Sequence, residues 1–258
     1  MPPDFVIGVS LKMYFSHART LAWCREVDET AGAHPAVRSG AAELVVLPTF
    51  PALVPVRALL GDSVRVGAQD LAVADRGAFT GEVGGPELAE VGCAFAEVGH
   101  AERRNVVGET DETVGRKLAA ALRNGLTPIV CVGEAVRTDP SDAARTVSEE
   151  LRRLLAPARA EGLSGRVVVA YEPHWAIGAS ESAPVDHIAA VCRRLRSDLR
   201  ADADLPDSRV IYGGSAGPGL LTELGDAVQG LFLGRFAHDP RALTRVLDEA
   251  LALTETKP

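Results

Sequence analysis

Cysteine, aromatic side chains and positive charge are all in short supply in this chain, and each shortage excludes something. The four cysteines, Cys24, Cys93, Cys131 and Cys192, are scattered without a CxxC pair. That argues against a disulfide framework and a paired-thiolate zinc site, and points to a reducing cytoplasm. Aromatics are only 5% of residues, and no apolar run approaches membrane-spanning length. The N-terminal Met1-Pro2-Pro3-Asp4 has neither a basic region nor an apolar stretch, so no targeting signal is expected. Lys and Arg number 27 against 35 Asp and Glu, a net charge of −8. Nucleic-acid and anionic-membrane partners are therefore not expected, although one local basic pocket for a small anion remains compatible. No Ser/Gly-rich linker or low-complexity segment divides the sequence, so residues 1–258 are read as one domain.

What the chain does contain is a regular alternation. Short apolar, β-branched runs at 5–9, 43–47, 64–68, 95–98, 128–132, 167–171, 210–212 and 231–233 read as strands. Between them, 19–31, 111–124, 143–159 and 185–201 are rich in Ala, Leu, Arg and Glu at helical spacing. Repeated strand-then-helix units require right-handed crossovers and a parallel sheet. Eight of them in 258 residues favour an α/β fold closed into a (β/α)8 barrel, with an open doubly wound sheet as the alternative.

Such barrels carry chemistry at the C-terminal ends of their strands. The first run is followed by Ser10-Leu11-Lys12-Met13, the fourth by Gly99-His100-Ala101-Glu102-Arg103-Arg104, the sixth by Glu172, the seventh by Gly213-Gly214-Ser215 and the eighth by Gly234-Arg235. Glu172 opens the segment Pro173-His174-Trp175-Ala176-Ile177-Gly178-Ala179, too apolar for an ordinary turn and bounded by residues suited to the hinges of a lid. A carboxylate under a dry lid is a good general base; a capping Glu before a packed loop is the plain alternative. Lys12 is either a fixed cation for an anionic substrate or a surface lysine. His100 is either a satisfied core residue or a neutral ring at a helix start, able to donate to a carbonyl oxygen. Gly213-Gly214-Ser215 is either a plain loop or a cradle of backbone N–H groups for phosphate. His17, His34, His187 and His238 lack metal-ligand spacing; they are expected at the surface, and no metal is expected.

Several of these stretches, taken in order, resemble triosephosphate isomerase: Gly77-Ala78-Phe79-Thr80-Gly81-Glu82, Val98-Gly99-His100-Ala101-Glu102-Arg103-Arg104, Pro128-Ile129-Val130-Cys131-Val132-Gly133-Glu134, Ala170-Tyr171-Glu172-Pro173-His174-Trp175-Ala176-Ile177-Gly178 and Tyr212-Gly213-Gly214-Ser215. The resemblance implies a TIM barrel and a cofactor-free isomerase working through an enediolate. Glu172 would match the base, His100 the electrophile, Lys12 the substrate-binding cation and Glu102 its acidic neighbour. Gly178, Ser215 and Gly234 would match backbone phosphate contacts, and residues 173–179 the lid. Thr80 would match the residue that reaches from one subunit toward Lys12 of the partner subunit, implying a homodimer.

The departures from the family pattern concern the groups that measure substrate. The family usually reads Asn-Trp-Lys-Met-Asn where this chain has Ser10-Leu11-Lys12-Met13-Tyr14, so Ser10 and Leu11 are expected to reshape the pocket floor. Ala101 stands for a serine, His174 for a small apolar residue, most simply as a surface change, and Arg235 for a second glycine. Arg235 either supplies a bidentate phosphate contact or points outward. Retained acid–base groups with revised surroundings favour a phosphorylated tetrulose, L-erythrulose 1-phosphate to D-erythrulose 4-phosphate, as in erythritol catabolism. The alternative is the glycolytic conversion of dihydroxyacetone phosphate to D-glyceraldehyde 3-phosphate. Readings from other classes are a non-catalytic sugar-phosphate binder and a carbon–carbon lyase using Lys12 as a Schiff base.

Overall fold

The alternating apolar runs close on themselves in the computed structural model, which describes residues 3–179 and 181–256; Met1, Pro2, Ser180, Lys257 and Pro258 lie outside the described residues. The strands are β1 Phe5–Ser10, β2 Ala42–Leu47, β3 Val64–Ala68, β4 Phe95–Val98, β5 Thr127–Val132, β6 Val168–Tyr171, β7 Arg209–Tyr212 and β8 Gly230–Leu233. All neighbours pair in parallel, and Val6 to Val9 of β1 pair with Gly230 to Leu233 of β8 to complete the ring. The closed barrel replaces the open-sheet alternative, and each strand lies within one residue of its expected ends.

The helices are α1 His17–Val27, α2 Pro35–Arg38, α3 Leu53–Leu59, α4 Gly85–Glu90, α5 Asp111–Arg123, α6 Pro140–Ala160, α7 Val185–Arg200 and α8 Leu220–Leu224 between the strands, and α9 Pro240–Glu255 after β8. The 19–31 expectation holds for its length but not its character: α1 starts earlier under the Ser16 cap, and after Val27 the coil widens into a π-helical turn at Asp28–Gly32. Helix α6 begins three residues before expectation because Asp139 caps it and Pro140 fills the first helical position.

The period of two along each strand separates two apolar layers. Val6, Val45, Leu47, Phe95, Ile129, Cys131, Val168, Ala170, Ile211 and Phe232 fill the inside of the barrel. Ile7, Val9, Leu44, Val46, Val130 and Val169 face the helices. This parity decides which residues reach the mouth. Counting in twos from Val6, Phe95 and Ala170 brings Ser10, Glu97 and Glu172 to the inward face at its top.

Candidate active site

Glu172 occupies the inward position just beyond β6 and is only 4% exposed. Its fit depends on glycine at two neighbouring strand ends. A Cβ on Gly213 would lie 2.4 Å from Glu172 Oε1, and one on Gly133 would lie 2.1 Å from the Glu172 carbonyl oxygen. Burial pushes its pKa up to about 8, reinforced by the nearby Glu97 and opposed by Lys12 and the Cys131 thiol. Glu172 Oε2 is buried without a hydrogen-bond partner among the described residues and lies 3.5 Å from His100 Nε2. An unpartnered carboxylate oxygen facing a cavity is a costly arrangement in a purely structural residue, and this favours the base over the capping alternative.

His100 follows Gly99 at the end of β4, and the chain turns into helix there, as expected. Its Nδ1 accepts a hydrogen bond from the Glu102 backbone N–H at 3.0 Å. That acceptor role leaves the proton on Nε2, the nitrogen that faces Glu172. Burial pushes the ring's pKa down to about 4, with Lys12 acting in the same direction and Glu102 against it. The ring is thus a neutral donor at physiological pH.

Lys12 adopts a left-handed backbone conformation, φ 47°, and Ser215 another, φ 57°, both uncommon outside glycine and concentrated here at the mouth. Gln69 holds the first of these turns by donating to the carbonyls of Lys12 and Leu47 at 3.1 and 2.9 Å. Lys12 Nζ is 2.8 Å from Glu102 Oε1. Burial disfavours the ammonium, but the hydrogen bond and charge of Glu102, backed by Glu172 and Glu97, outweigh it and raise the pKa above the ordinary lysine value.

The segment after Glu172 begins at Pro173, makes one 3-10 turn at His174–Ala176 and returns through Gly178 at φ 75°. Ile177, Gly178 and Ala179 line the cavity. Ser215 Oγ lies 3.0 Å from the carbonyl oxygens of both Ala176 and Ala179, tying the loop after β7 to the segment after Glu172. On its other side the start of this segment is held by Glu134, whose carboxylate receives Tyr171 Oη at 3.1 Å and Trp175 Nε1 at 2.8 Å, with His187 Nε2 3.0 Å away.

These groups surround one cavity of ≈ 530 Å³, lined by Ser10, Lys12, His100 and Glu172 on its more buried side and by Glu102, Gly178, Ser215, Gly234 and Arg235 toward its rim. Its size suits a small sugar phosphate. Arg235 forms no ion pair among the described residues. Thr80 lies elsewhere, on an exposed loop.

Three expectations need correction. Leu11 does not shape the pocket floor: period-two alternation turns it away from Ser10, and at 1% exposure it packs in the layer between barrel and helices. His187 and His34 are buried rather than superficial. His187 sits on Glu134 beside Trp175, and His34 bridges the Ala36 backbone N–H and Asp248. His174 is half-buried, not a plain surface change.

Sequence reasoning also passed over residues that support the site. Arg104 donates to the Gly99 carbonyl at 3.0 Å and to Asp111 and Glu150 at 2.7 and 3.1 Å, fixing the turn before His100. Arg103 and Lys117 share Asp70 and Glu109 in a four-charge cluster beside it, with Lys117 and Asp70 buried. Glu97, whose Oε2 accepts from Ser10 Oγ at 3.0 Å, lies directly under the cavity. The signal for Glu97 was present: alternation from the inward Phe95 places it inside the barrel.

The sequence has counterparts among known proteins. The L-erythrulose-1-phosphate isomerase of Pectobacterium atrosepticum is 53% identical over 249 residues, 96% of each chain. The triosephosphate isomerase of Synechococcus sp. is 37% identical over 257 residues, 98% of this chain and 99% of its own. That of Mycobacteroides abscessus is 42% identical over 218 residues, 82% of each. A family model described as triosephosphate isomerase matches residues 5–250, from the first strand of the barrel into the last helix, and the chain therefore belongs to the triosephosphate isomerase family.

Proposed function

We propose that the protein isomerises a phosphorylated tetrulose, L-erythrulose 1-phosphate to D-erythrulose 4-phosphate, by proton transfer through an enediolate. The observation that carries this reading is the unpartnered Glu172 Oε2 facing His100 Nε2 at 3.5 Å across the base of a cavity that also holds Lys12. Glu172 as carboxylate takes the proton from the carbon bearing the hydroxyl. Nε2–H of His100 polarises the neighbouring carbonyl, and the Lys12 ammonium offsets the negative charge that develops on oxygen. Glu172 then returns its proton to the adjacent carbon while the hydroxyl proton passes between the two oxygens by way of His100. Nothing is gained or lost, so the stoichiometry calls for no cofactor.

Gly178, Ser215, Gly234 and Arg235 line the cavity, where the backbone N–H groups of the first three and the guanidinium of Arg235 would receive the phosphate. The lid over residues 173–179 excludes water, which protects an enediolate phosphate from elimination. The tetrulose is favoured over dihydroxyacetone phosphate by the greater identity to a relative named for that substrate and by the Ser10 hydroxyl in the floor. The Schiff-base alternative is disfavoured by the raised pKa of Lys12 and its pairing with Glu102, since a charged ammonium is not a nucleophile.

A homodimer fits Met13, 91% exposed beside Lys12, and the exposed Phe79 next to Thr80: apolar surface that a second subunit would cover. A cytoplasmic location fits four unpaired, buried cysteines, and no described helix is long and apolar enough to cross a membrane. The test is kcat/KM for both substrates on one sample, followed by NMR without a coupling enzyme. Preference for the tetrulose supports the reading; preference for the triose replaces it with the glycolytic reaction.

A further inference from the structure

Ser10 and Glu97 form a polar chord across the inside of the barrel. β1 pairs only with β2 and β8, and β4 only with β3 and β5, so their side chains meet through the interior and not along a ladder. Ser10 Oγ donates to Glu97 Oε2 at 3.0 Å, and this is the one hydrogen bond of the Glu97 carboxyl among the described residues. Glu97 is 3% exposed and Ser10 4%, with Ser10 lining the floor of the cavity and Glu97 beneath it. Phe95, Ile129, Cys131, Val168 and Ala170 show that apolar residues fill this interior readily. A buried carboxyl here is expensive, and the reaction chemistry assigned to Glu172, His100 and Lys12 does not use it.

Substrate chemistry supplies a use, resting on the tetrulose reading above. The phosphate is held at the rim, and the carbonyl moves between the two internal carbons beside Glu172 and His100. Compared with dihydroxyacetone phosphate, the tetrulose carries one more hydroxymethyl group, at the end remote from phosphate. With the phosphate at the rim, that end points at the floor.

We propose that Ser10 contacts the terminal hydroxyl of the tetrulose and that Glu97 is the positioning residue that orients the Ser10 hydroxyl, so that the pair selects the four-carbon substrate. While Ser10 donates to Glu97, its lone pairs face the cavity and accept the substrate's O–H. When Glu97 is protonated, its O–H donates the hydrogen bond to Ser10 Oγ, and the serine's own O–H is then free to donate upward to the substrate. Burial pushes the Glu97 pKa up to about 8, so both forms are accessible near neutrality. The triose has no group to fill this subsite.

The experiment measures the ratio of kcat/KM for L-erythrulose 1-phosphate to that for dihydroxyacetone phosphate in wild type, Ser10→Ala, Glu97→Leu and Glu97→Gln, with Tm recorded for each. The ratio is expected to fall at least about tenfold in Ser10→Ala and Glu97→Leu, mostly through the KM of the tetrulose. Glu97→Gln keeps an acceptor for Ser10 and is expected to hold the ratio within about threefold. If Glu97→Leu does not fold, Ser10→Ala, which removes a single oxygen, decides alone. A ratio unchanged in Ser10→Ala, or equal losses on both substrates, overturns the proposal. A wild type that prefers the triose rejects the tetrulose reading itself, before any variant is compared.

Discussion

His100 Nε2 and Glu172 Oε2 stand 3.5 Å apart, too far for a good hydrogen bond and close enough for the reacting carbons and oxygens of one substrate to touch both. A neutral donor and a free acceptor face a shared space in which neither satisfies the other. Removing the acceptor charge should therefore damage the chemical step selectively. Glu172→Gln is expected to lower kcat by roughly 10²–10⁴-fold. Binding of a phosphorylated inhibitor, followed by calorimetry, should change little because the rim contacts remain. Turnover close to wild type would remove Glu172 from the proton path.

The same burial sets a pH dependence. Glu172 must be ionised to act as base, and burial places its pKa near about 8, so kcat/KM should rise with pH well above the range of ordinary carboxylates. The second ionisation of the substrate phosphate, at about 6, falls lower and leaves that limb visible. Glu97 and Glu102 raise the Glu172 pKa, while Lys12 and Cys131 lower it. Glu97→Gln should thus move the acidic limb to lower pH. A limb that stays in place would mean that the two carboxyls do not sense each other.

Stability should respond with the opposite sign. The folded-state pKa of Glu172 is raised above its unfolded value of 4.5. Below the unfolded pKa both states hold the proton, and the stability is fully present. As pH rises from there through the folded pKa, the unfolded chain releases its proton first, and stability is lost. Glu172→Gln carries no such penalty. Its Tm should match wild type near pH 4 and exceed it at pH 9 by at least about 2 °C, given roughly 2–4 °C per kcal/mol for a domain of this size. An equal Tm difference at both pH values would show that ionisation is not the cause.

Much of this was legible before any coordinates. The eight apolar runs fix the strands because a buried parallel strand must be short and nearly all apolar, and Lys12, His100, Glu172, Ser215 and Gly234 follow those runs directly. What escaped notice depends on facing across the barrel or between layers. Leu11 follows Ser10 in sequence, yet the pleat sends the two side chains into different layers. Glu97 looks like one polar letter in a strand until Ser10 is found opposite it. His187 lies 53 residues from Glu134 and has no local mark of its contact with that carboxylate.

Arg235 offers a test at the rim. It lines the cavity with no carboxylate partner among the described residues, where a substrate dianion would be held. Arg235→Gly should raise the KM for the phosphorylated substrate about tenfold and change kcat less, the pattern of a contact made equally in ground and transition states. Steady-state kinetics on both substrates would check it. Unchanged constants would mean that the backbone N–H groups carry the phosphate alone.

The charge cluster behind His100 should couple stability to catalysis. Lys117 Nζ lies 2.6 Å from both Asp70 Oδ1 and Glu109 Oε1, and Arg103 reaches the same two carboxylates at 2.7 Å. Asp70 belongs to the loop after β3, Glu109 and Arg103 to the segment after His100, and Lys117 to α5, so one buried ammonium ties three pieces of chain. Lys117→Met keeps the volume but leaves two acids with a single cation, a loss of roughly 3–5 kcal/mol when a buried pair is broken from one side. Asp70→Asn combined with Lys117→Met removes one of the stranded charges and should recover part of the Tm. Because the Glu102 that pairs with Lys12 sits at the start of this segment, Lys117→Met should also lower kcat/KM on protein that is still folded. A Tm loss with kinetics untouched would confine the cluster to holding the fold.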